Sequence, residues 1–182
     1  MTDQTPPGPG YPDPGPVAGT RPAELLDRFL ARLVDFVLLA IVDGIVVSGI
    51  VVGAIMGESG GFYYGASDYA ARVVSAVLTA ALYHAYFSYL ESSRGQTVGK
   101  MVMKLHVVGS QGGHPALEQA ARRNCWVAFG VLGVVPVIGG FLGGLASLIA
   151  VILIAVGINS DTVHRQAWHD RFAGGTRVVK ET

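Results

Sequence analysis

The sequence predicts an all-α membrane protein, a small polytopic helical bundle with a disordered N-terminal tail. Hydrophobic residues make up 51% of the 182 residues and charged residues only 14%, whereas soluble domains carry roughly 25% charge. The few charges lie outside long apolar runs, which excludes an ordinary soluble domain. The 13 basic residues balance the 13 acidic ones, which argues against nucleic acid as a partner. The single cysteine, Cys125, excludes an intramolecular disulfide framework and a multi-cysteine zinc site.

The N-terminal segment, residues 1–22, is rich in proline and glycine. It contains seven of the nine prolines. Such a segment cannot bury enough apolar surface to offset the entropy that ordering would cost. We therefore expect residues 1–22 to form a disordered cytoplasmic tail and residues 23–180 to form the membrane domain.

Two apolar segments have the length of membrane-spanning helices. Residues 33–56 are interrupted only by Asp35 and Asp43. As a helix this segment is about 36 Å long, which is enough to cross a hydrocarbon core of ~30 Å. Residues 69–90 form the second predicted span.

The third apolar run, Cys125 to Ile158, contains no charged residue and is longer than one span requires. As a straight helix it would be about 51 Å long, and Pro136 followed by Gly139 and Gly140 is expected to break it. We predict a hairpin broken at Pro136–Gly140, with arms at residues 121–135 and 138–158 and four segments in total. A continuous third span, giving three segments, is the alternative.

The basic residues around the spans predict the orientation of the protein. Three precede the first span, none lies between the first two spans, five lie in the middle loop, and four follow the third run. Basic loops stay on the cytoplasmic side, so the N-terminus, the middle loop and the C-terminus are all predicted to be cytoplasmic. The basic residues of the middle loop that could contact anionic lipid headgroups are Lys100, Lys104, Arg122 and Arg123.

Ionisable residues inside the spans are candidates for function, because charges are costly in a bilayer. Asp43 lies about 15 Å into the first span, where a carboxyl group could handle protons or cations. The alternative is a protonated aspartic acid that is hydrogen-bonded to another helix. His84 could be its partner or a proton relay, or simply a packing residue. Asp35 lies near the start of the span, within reach of Arg32 at i,i+3.

The remaining polar segments argue against catalysis. GQTVGK lacks the residues that a phosphate-binding loop requires. His169 and Asp170 are adjacent and do not face each other on a helix, so we predict no metal site. No nucleophile and base occur in a suitable arrangement, so we predict no cofactor and no enzymatic activity. We expect His169 and Asp170 instead to dock the C-terminal segment against Arg28, or against Arg122 and Arg123.

Four separated motifs occur in order between residues 22 and 179: RPAELLDRFLARLVDFVLL, SSRGQTVGKMVMKLHVV, ARRN and AWHDRFAGGTRVV. Together they resemble the RDD family, bacterial membrane proteins named for one arginine and two aspartates. The resemblance implies that Arg28 is the family arginine, with Arg32 as the alternative, and that Asp35 and Asp170 are the aspartates. The loop residues that fall in the matching motifs are Gly95, Thr97, Gly99, Lys100, Arg123 and Asn124.

The resemblance implies a multi-pass protein of the bacterial plasma membrane, with transport as its role. In one interpretation the chain is a small transporter or transport component for cations or protons. Asp43, Asp35 and His84 would line its route, and Arg28 with Asp170 would gate it. The alternative is a non-catalytic accessory or scaffold subunit of a larger membrane complex. In both cases we expect the lipid bilayer as surroundings and a homo-oligomer or larger complex as the assembly.

Overall fold

The computed structural model describes residues 19–52 and 66–182, and the protein is predominantly helical. The helices in chain order are α1 (Leu25–Asp43), α2 (Ala66–Arg94), α3 (Val98–Val102), α4 (Leu117–Asn124), α5 (Gly139–Ser160) and α6 (Trp168–Phe172). A π-helix over Gly44–Val52 continues α1, and a 3-10 helix over Cys125–Val134 continues α4. Residues 1–18 of the predicted tail and residues 53–56 of the first predicted span lie outside the described residues.

Three short strands form an antiparallel sheet in the order β1-β3-β2. They are β1 (Thr20–Pro22), β2 (Leu105–Val108) and β3 (Arg177–Glu181). Leu105 and Val178 of this sheet form a small buried core with Ala23 and with Ala31 of α1. The sheet therefore joins the two ends of the described domain to the first helix.

This sheet corrects two expectations. The protein is not purely helical, because the β-branched residues of Leu105–Val108 and Arg177–Glu181 favour extended backbone when a partner strand is present. The boundary of the predicted tail is also too late in the chain, since Thr20–Pro22 belong to β1. In this strand Thr20 pairs with Glu181 and Pro22 with Val179.

Helix α1 buries a narrow face that carries two aspartates and exposes most of its large apolar side chains. Its buried residues are Asp27, Ala31, Asp35 and Leu39, and their four-residue spacing places them on one side of the helix. Its large apolar side chains are exposed instead: Leu26, Phe29, Leu30, Leu33, Val37 and Ile41. Exposed apolar patches of this extent are rare on soluble proteins, so this helix suits a lipid environment.

Within residues 19–52 and 66–182, two helices are long and apolar enough to cross a membrane. They cover Tyr69–Arg94 and Gly139–Ser160, with mean hydropathies of 1.4 and 2.7. Only 11% and 17% of their most apolar windows are buried, whereas the core helix of a soluble protein is mostly buried. These helices agree with the predicted second and last segments, and the total of three or four spans stays a prediction.

The third apolar run breaks where its proline and glycines predict. The 3-10 helix ends at Val134, and α5 begins at Gly139. Glycine allows the two arms to pack closely. A Cβ atom at Gly139 would lie 2.2 Å from the carbonyl oxygen of Leu132, and one at Gly143 would lie 3.0 Å from that of Phe129. The run is therefore a helical hairpin in the structure.

Candidate functional site

Charged and polar side chains from five helices and the loop before α3 meet beside the sheet. Most of them are buried although the surrounding helices expose apolar residues, so their burial is a specific feature of this fold. We call these residues the charge cluster: Arg28, Arg32, Asp35, Glu91, Thr97, Lys100, Arg123, Asn124, His169 and Asp170.

Asp35 connects α1 to α2 and α3. Its carboxylate accepts hydrogen bonds from the Thr97 hydroxyl at 2.6 Å, the Gly99 amide at 2.7 Å and the Tyr86 hydroxyl at 2.7 Å. A Cβ atom at position 99 would lie 2.0 Å from the carbonyl oxygen of Ala31. Only glycine therefore allows this amide to come so close to Asp35. Asp35 is 1% exposed, and three donors satisfy its charge. These contacts favour a structural role for Asp35.

Glu91 is a fully buried carboxylate at the end of α2. Lys100 Nζ contacts one of its oxygens, Arg123 Nη1 lies 3.4 Å from the other, and Asn124 Nδ2 donates to that same oxygen at 2.9 Å. Glu91 therefore joins α2 to α3 and α4. The expectation that Lys100 and Arg123 contact lipid headgroups is wrong, because both charges are buried against Glu91.

Asp170 attaches the C-terminal segment to the charge cluster. Arg28 Nη1 donates to Asp170 Oδ2 at 3.1 Å, and Arg123 Nε lies 2.9 Å from Asp170 Oδ1. Arg28 also donates to the carbonyl oxygen of Arg165 at 2.6 Å. The structure thus brings Asp170 to Arg28 and Arg123. Arg122, the other expected partner, is exposed on α4.

The surroundings keep Asp170 ionised and His169 neutral. Burial by itself raises the pKa of Asp170, but its interactions with His169, Arg123 and Arg28 outweigh burial and hold this pKa well below its ordinary value. Burial lowers the pKa of His169 to about 4, and the nearby arginines act in the same direction while Asp170 opposes them. Burial also lowers the pKa of Lys100 to about 8, although its partner Glu91 opposes this shift.

Arg32 has no carboxylate partner among the described residues. Its Nη2 donates to Asn124 Oδ1 at 2.9 Å, and its guanidinium carbon lies 3.9 Å from the ring centroid of Phe87 and 5.3 Å from that of Trp126. Its Nη1 is buried without a hydrogen-bond partner. The predicted pair of Arg32 with Asp35 is not formed, because the carboxylate of Asp35 is occupied by other donors.

The two candidates for an ion or proton pathway have different partners. Asp43 Oδ1 accepts a hydrogen bond from the Thr79 hydroxyl of α2 at 2.7 Å. His84 Nδ1 lies 3.4 Å from the carbonyl oxygen of Asn124, a residue of the charge cluster. Asp43 therefore contacts α2, His84 contacts the charge cluster, and no contact joins Asp43 to His84.

A cavity of about 460 Å³ lies between α1 and α5, beside the charge cluster. Its apolar walls include Leu33 and Phe36 of α1 and Ile154 and Ile158 of α5. The members of the charge cluster that line it are Arg28, Arg32, Asp35, Lys100, Arg123 and His169. The volume is within the range of small-molecule binding sites.

Comparison with known proteins identifies one match. A model of the RDD family matches residues 22–174, a range that contains the whole charge cluster. Neither a curated protein nor a solved structure matches the sequence. Over residues 19–52 and 66–182, no three His, Cys, Asp or Glu side chains lie close enough together to hold a metal ion.

Proposed function

Because the chain belongs to the RDD family of membrane proteins, we propose that it is a small transporter or transport component for protons or cations. The observation that carries this proposal is the contact of Asp43 with Thr79 between two predicted spans. We further propose that the protein is non-catalytic and lies in the bacterial plasma membrane with both termini in the cytoplasm. Its working form is a homo-oligomer or part of a larger membrane complex.

The position of Asp43 supports this role. Thr79 lies ten residues into the candidate span Tyr69–Arg94, which is about 15 Å along the helix. Measured along either the first predicted span or α2, the half-buried carboxyl group of Asp43 lies at the depth of the hydrocarbon core in this proposal. An ionisable group at that depth requires a protein or water partner. Directly after Asp43 the helix changes to π-helical hydrogen bonding at Gly44, and such changes are frequent at functional sites.

The charge cluster is a poor route for cations. Asp35 and Asp170 already accept hydrogen bonds from several donors, and the basic residues of the cluster outnumber its carboxylates. A cation at this position would be repelled. In this proposal the route passes Asp43, and Arg28 and Asp170 hold the cytoplasmic end of the bundle together.

The outer face of α5 favours a second candidate function, an accessory or scaffold subunit of a larger complex. Gly140 and Gly144 are exposed, and a Cβ atom at either position would meet nothing within 4 Å. Small residues four apart allow a second helix to approach closely in a membrane.

Proton-coupled cation flux in proteoliposomes tests the first candidate. Gradients of Na⁺, K⁺ and Li⁺ are applied to the unmodified chain, to Asp43→Asn and to Glu118→Gln, with a pH-sensitive dye as readout. Glu118 is an exposed carboxylate on α4, so its replacement controls for loss of one negative charge. We expect flux in the unmodified chain and in Glu118→Gln, and none in folded Asp43→Asn.

The absence of flux from all three proteins would contradict cation or proton exchange by the isolated chain and would favour the accessory function. Equal flux in Asp43→Asn and the unmodified chain would show that transport does not depend on Asp43.

A further inference from the structure

We propose that the cavity between α1 and α5 binds an anionic membrane lipid, with the headgroup at Arg32 and an acyl chain along the apolar walls. This inference does not depend on transport, since Asp43 does not line the cavity. It rests on the charge balance of the cluster, on the unpartnered donors around the cavity and on the position of its opening.

The charge balance calls for one more anion. The cluster contains four basic side chains, Arg28, Arg32, Lys100 and Arg123, against three carboxylates, Asp35, Glu91 and Asp170. His169 adds no charge at neutral pH, because burial holds its pKa at about 4. A buried charge without a counter-charge is costly. One negative headgroup at this place would balance the cluster.

Arg32 is the basic residue of the cluster that pairs with no carboxylate. The other three basic side chains each contact a carboxylate of the cluster. Within the described residues, the side chain of Arg32 makes one hydrogen bond, to the neutral amide of Asn124. Its guanidinium has a buried Nη1 that donates to no group in the described parts of the chain. Arginine binds phosphate and carboxylate through such parallel donors.

Two further nitrogen atoms of the cavity lining have neither a hydrogen-bond partner nor an ion-pair partner within the described residues. They are Nε1 of Trp126 and Nδ1 of His169, and these side chains belong to residues that are only 7% and 4% exposed. Buried polar groups are normally hydrogen-bonded in folded proteins. Together with Arg32, they leave three buried nitrogen atoms beside the cavity without a hydrogen-bond partner.

The opening of the cavity indicates a lipid rather than a soluble anion. Several apolar lining residues are strongly exposed: Leu26 at 64%, Phe29 at 59%, Leu33 at 48% and Val151 at 46%. These residues belong to the apolar outer faces of α1 and α5. A ligand therefore enters sideways from the bilayer, and its acyl chain is in contact with apolar side chains while its charge reaches Arg32 near the start of the first span.

Tryptophan fluorescence offers a direct test. The chain has two tryptophans, so Trp168→Phe leaves Trp126 in the cavity lining as the only emitter. The full chain in detergent is titrated with phosphatidylglycerol or phosphatidylcholine carrying brominated acyl chains, which quench on contact. Emission is normalised to the lipid-free value of each variant.

We expect brominated phosphatidylglycerol to quench Trp126 at about tenfold lower concentration than brominated phosphatidylcholine, the effect of one charged hydrogen bond. Arg32→Gln should remove this preference. Arg122→Gln should keep it, because Arg122 is an exposed basic residue outside the cavity. Ala155→Leu, which fills the cavity from α5, should weaken quenching by both lipids and tests the site even if Arg32→Gln does not fold.

Equal quenching by the two lipids in the background chain would overturn the proposal, as would an unchanged preference in folded Arg32→Gln. Unchanged quenching in Ala155→Leu would place the lipid outside the cavity. If millimolar inorganic phosphate removes the preference, the ligand is a soluble anion and the lipid assignment is wrong. None of these results depends on flux through Asp43.

Discussion

Replacement of Gly99 by alanine tests how α1 and α3 approach each other. A Cβ atom at Gly99 would lie 2.0 Å from the carbonyl oxygen of Ala31 and 3.0 Å from Cγ of Asp35. The first of these atoms belongs to the backbone and cannot rotate away. The two helices must therefore separate by about 1 Å before the new methyl group reaches an ordinary contact distance.

Separation of the two helices lowers the free energy of unfolding in two ways. Overpacking of a close contact costs about 1–3 kcal/mol. The same movement lengthens the hydrogen bond from the Gly99 amide to Asp35, now 2.7 Å, and loss of a bond to a buried carboxylate costs about 1.5–3 kcal/mol. We expect Gly99→Ala to lower the free energy of unfolding by about 3–5 kcal/mol in total.

Thermal unfolding in detergent measures this effect. For a chain of this length, the expected loss lowers the unfolding midpoint by roughly 6–20 °C. Gly144→Ala is the matched control, because a Cβ atom there meets nothing within 4 Å and alanine favours a helix by up to about 1 kcal/mol. A Gly99→Ala protein that unfolds at the temperature of the unmodified chain would refute the close approach of α1 and α3.

Two further predictions concern the C-terminal segment. The pKa of His169 lies at about 4 in the folded protein, against an ordinary 6.5. As the pH falls, the unfolded chain therefore binds a proton at this histidine before the folded protein does. The free energy of unfolding should fall by about 2 kcal/mol from pH 7 to pH 5. Chemical denaturation of the unmodified chain and of His169→Gln measures this, and an equal slope in both would contradict it. Arg28→Gln should loosen residues 165–181, because Arg123 is then the only arginine paired with Asp170 among the described residues. Amide hydrogen exchange in this segment should become about tenfold faster. Arg122→Gln is its control, and unchanged exchange in Arg28→Gln would show that Arg28 does not hold the segment.

The helices and the break in the third run could be predicted because their causes are local. An apolar run of sufficient length indicates a span, and a proline followed by glycines ends a helix within a few residues. The same argument fails for the strands. Thr20–Pro22 is three residues long, too short to show alternation, and its partner β3 lies at the other end of the sequence.

The charge cluster could be predicted only in part, because its contacts join residues far apart in sequence. The motifs single out Arg28, Asp35 and Asp170, but they do not show which side chains meet. Arg28 and Asp170 are 142 residues apart. Glu91 was missed because it directly follows the second predicted span, where an acidic residue would ordinarily face the membrane surface. Its burial depends on Lys100 and Arg123, which belong to two other helices.

The order of the strands affects how the chain assembles during synthesis. β3 is the middle strand of the sheet and the last of the three to leave the ribosome, so β1 and β2 have no partner until then. The contacts of Asp35 come from Tyr86, Thr97 and Gly99 and can form once α1, α2 and α3 have been synthesised. The contact of Arg28 must wait for Asp170. The end of the bundle that carries the sheet is therefore completed only after the apolar helices have been synthesised, and the final strand closes it.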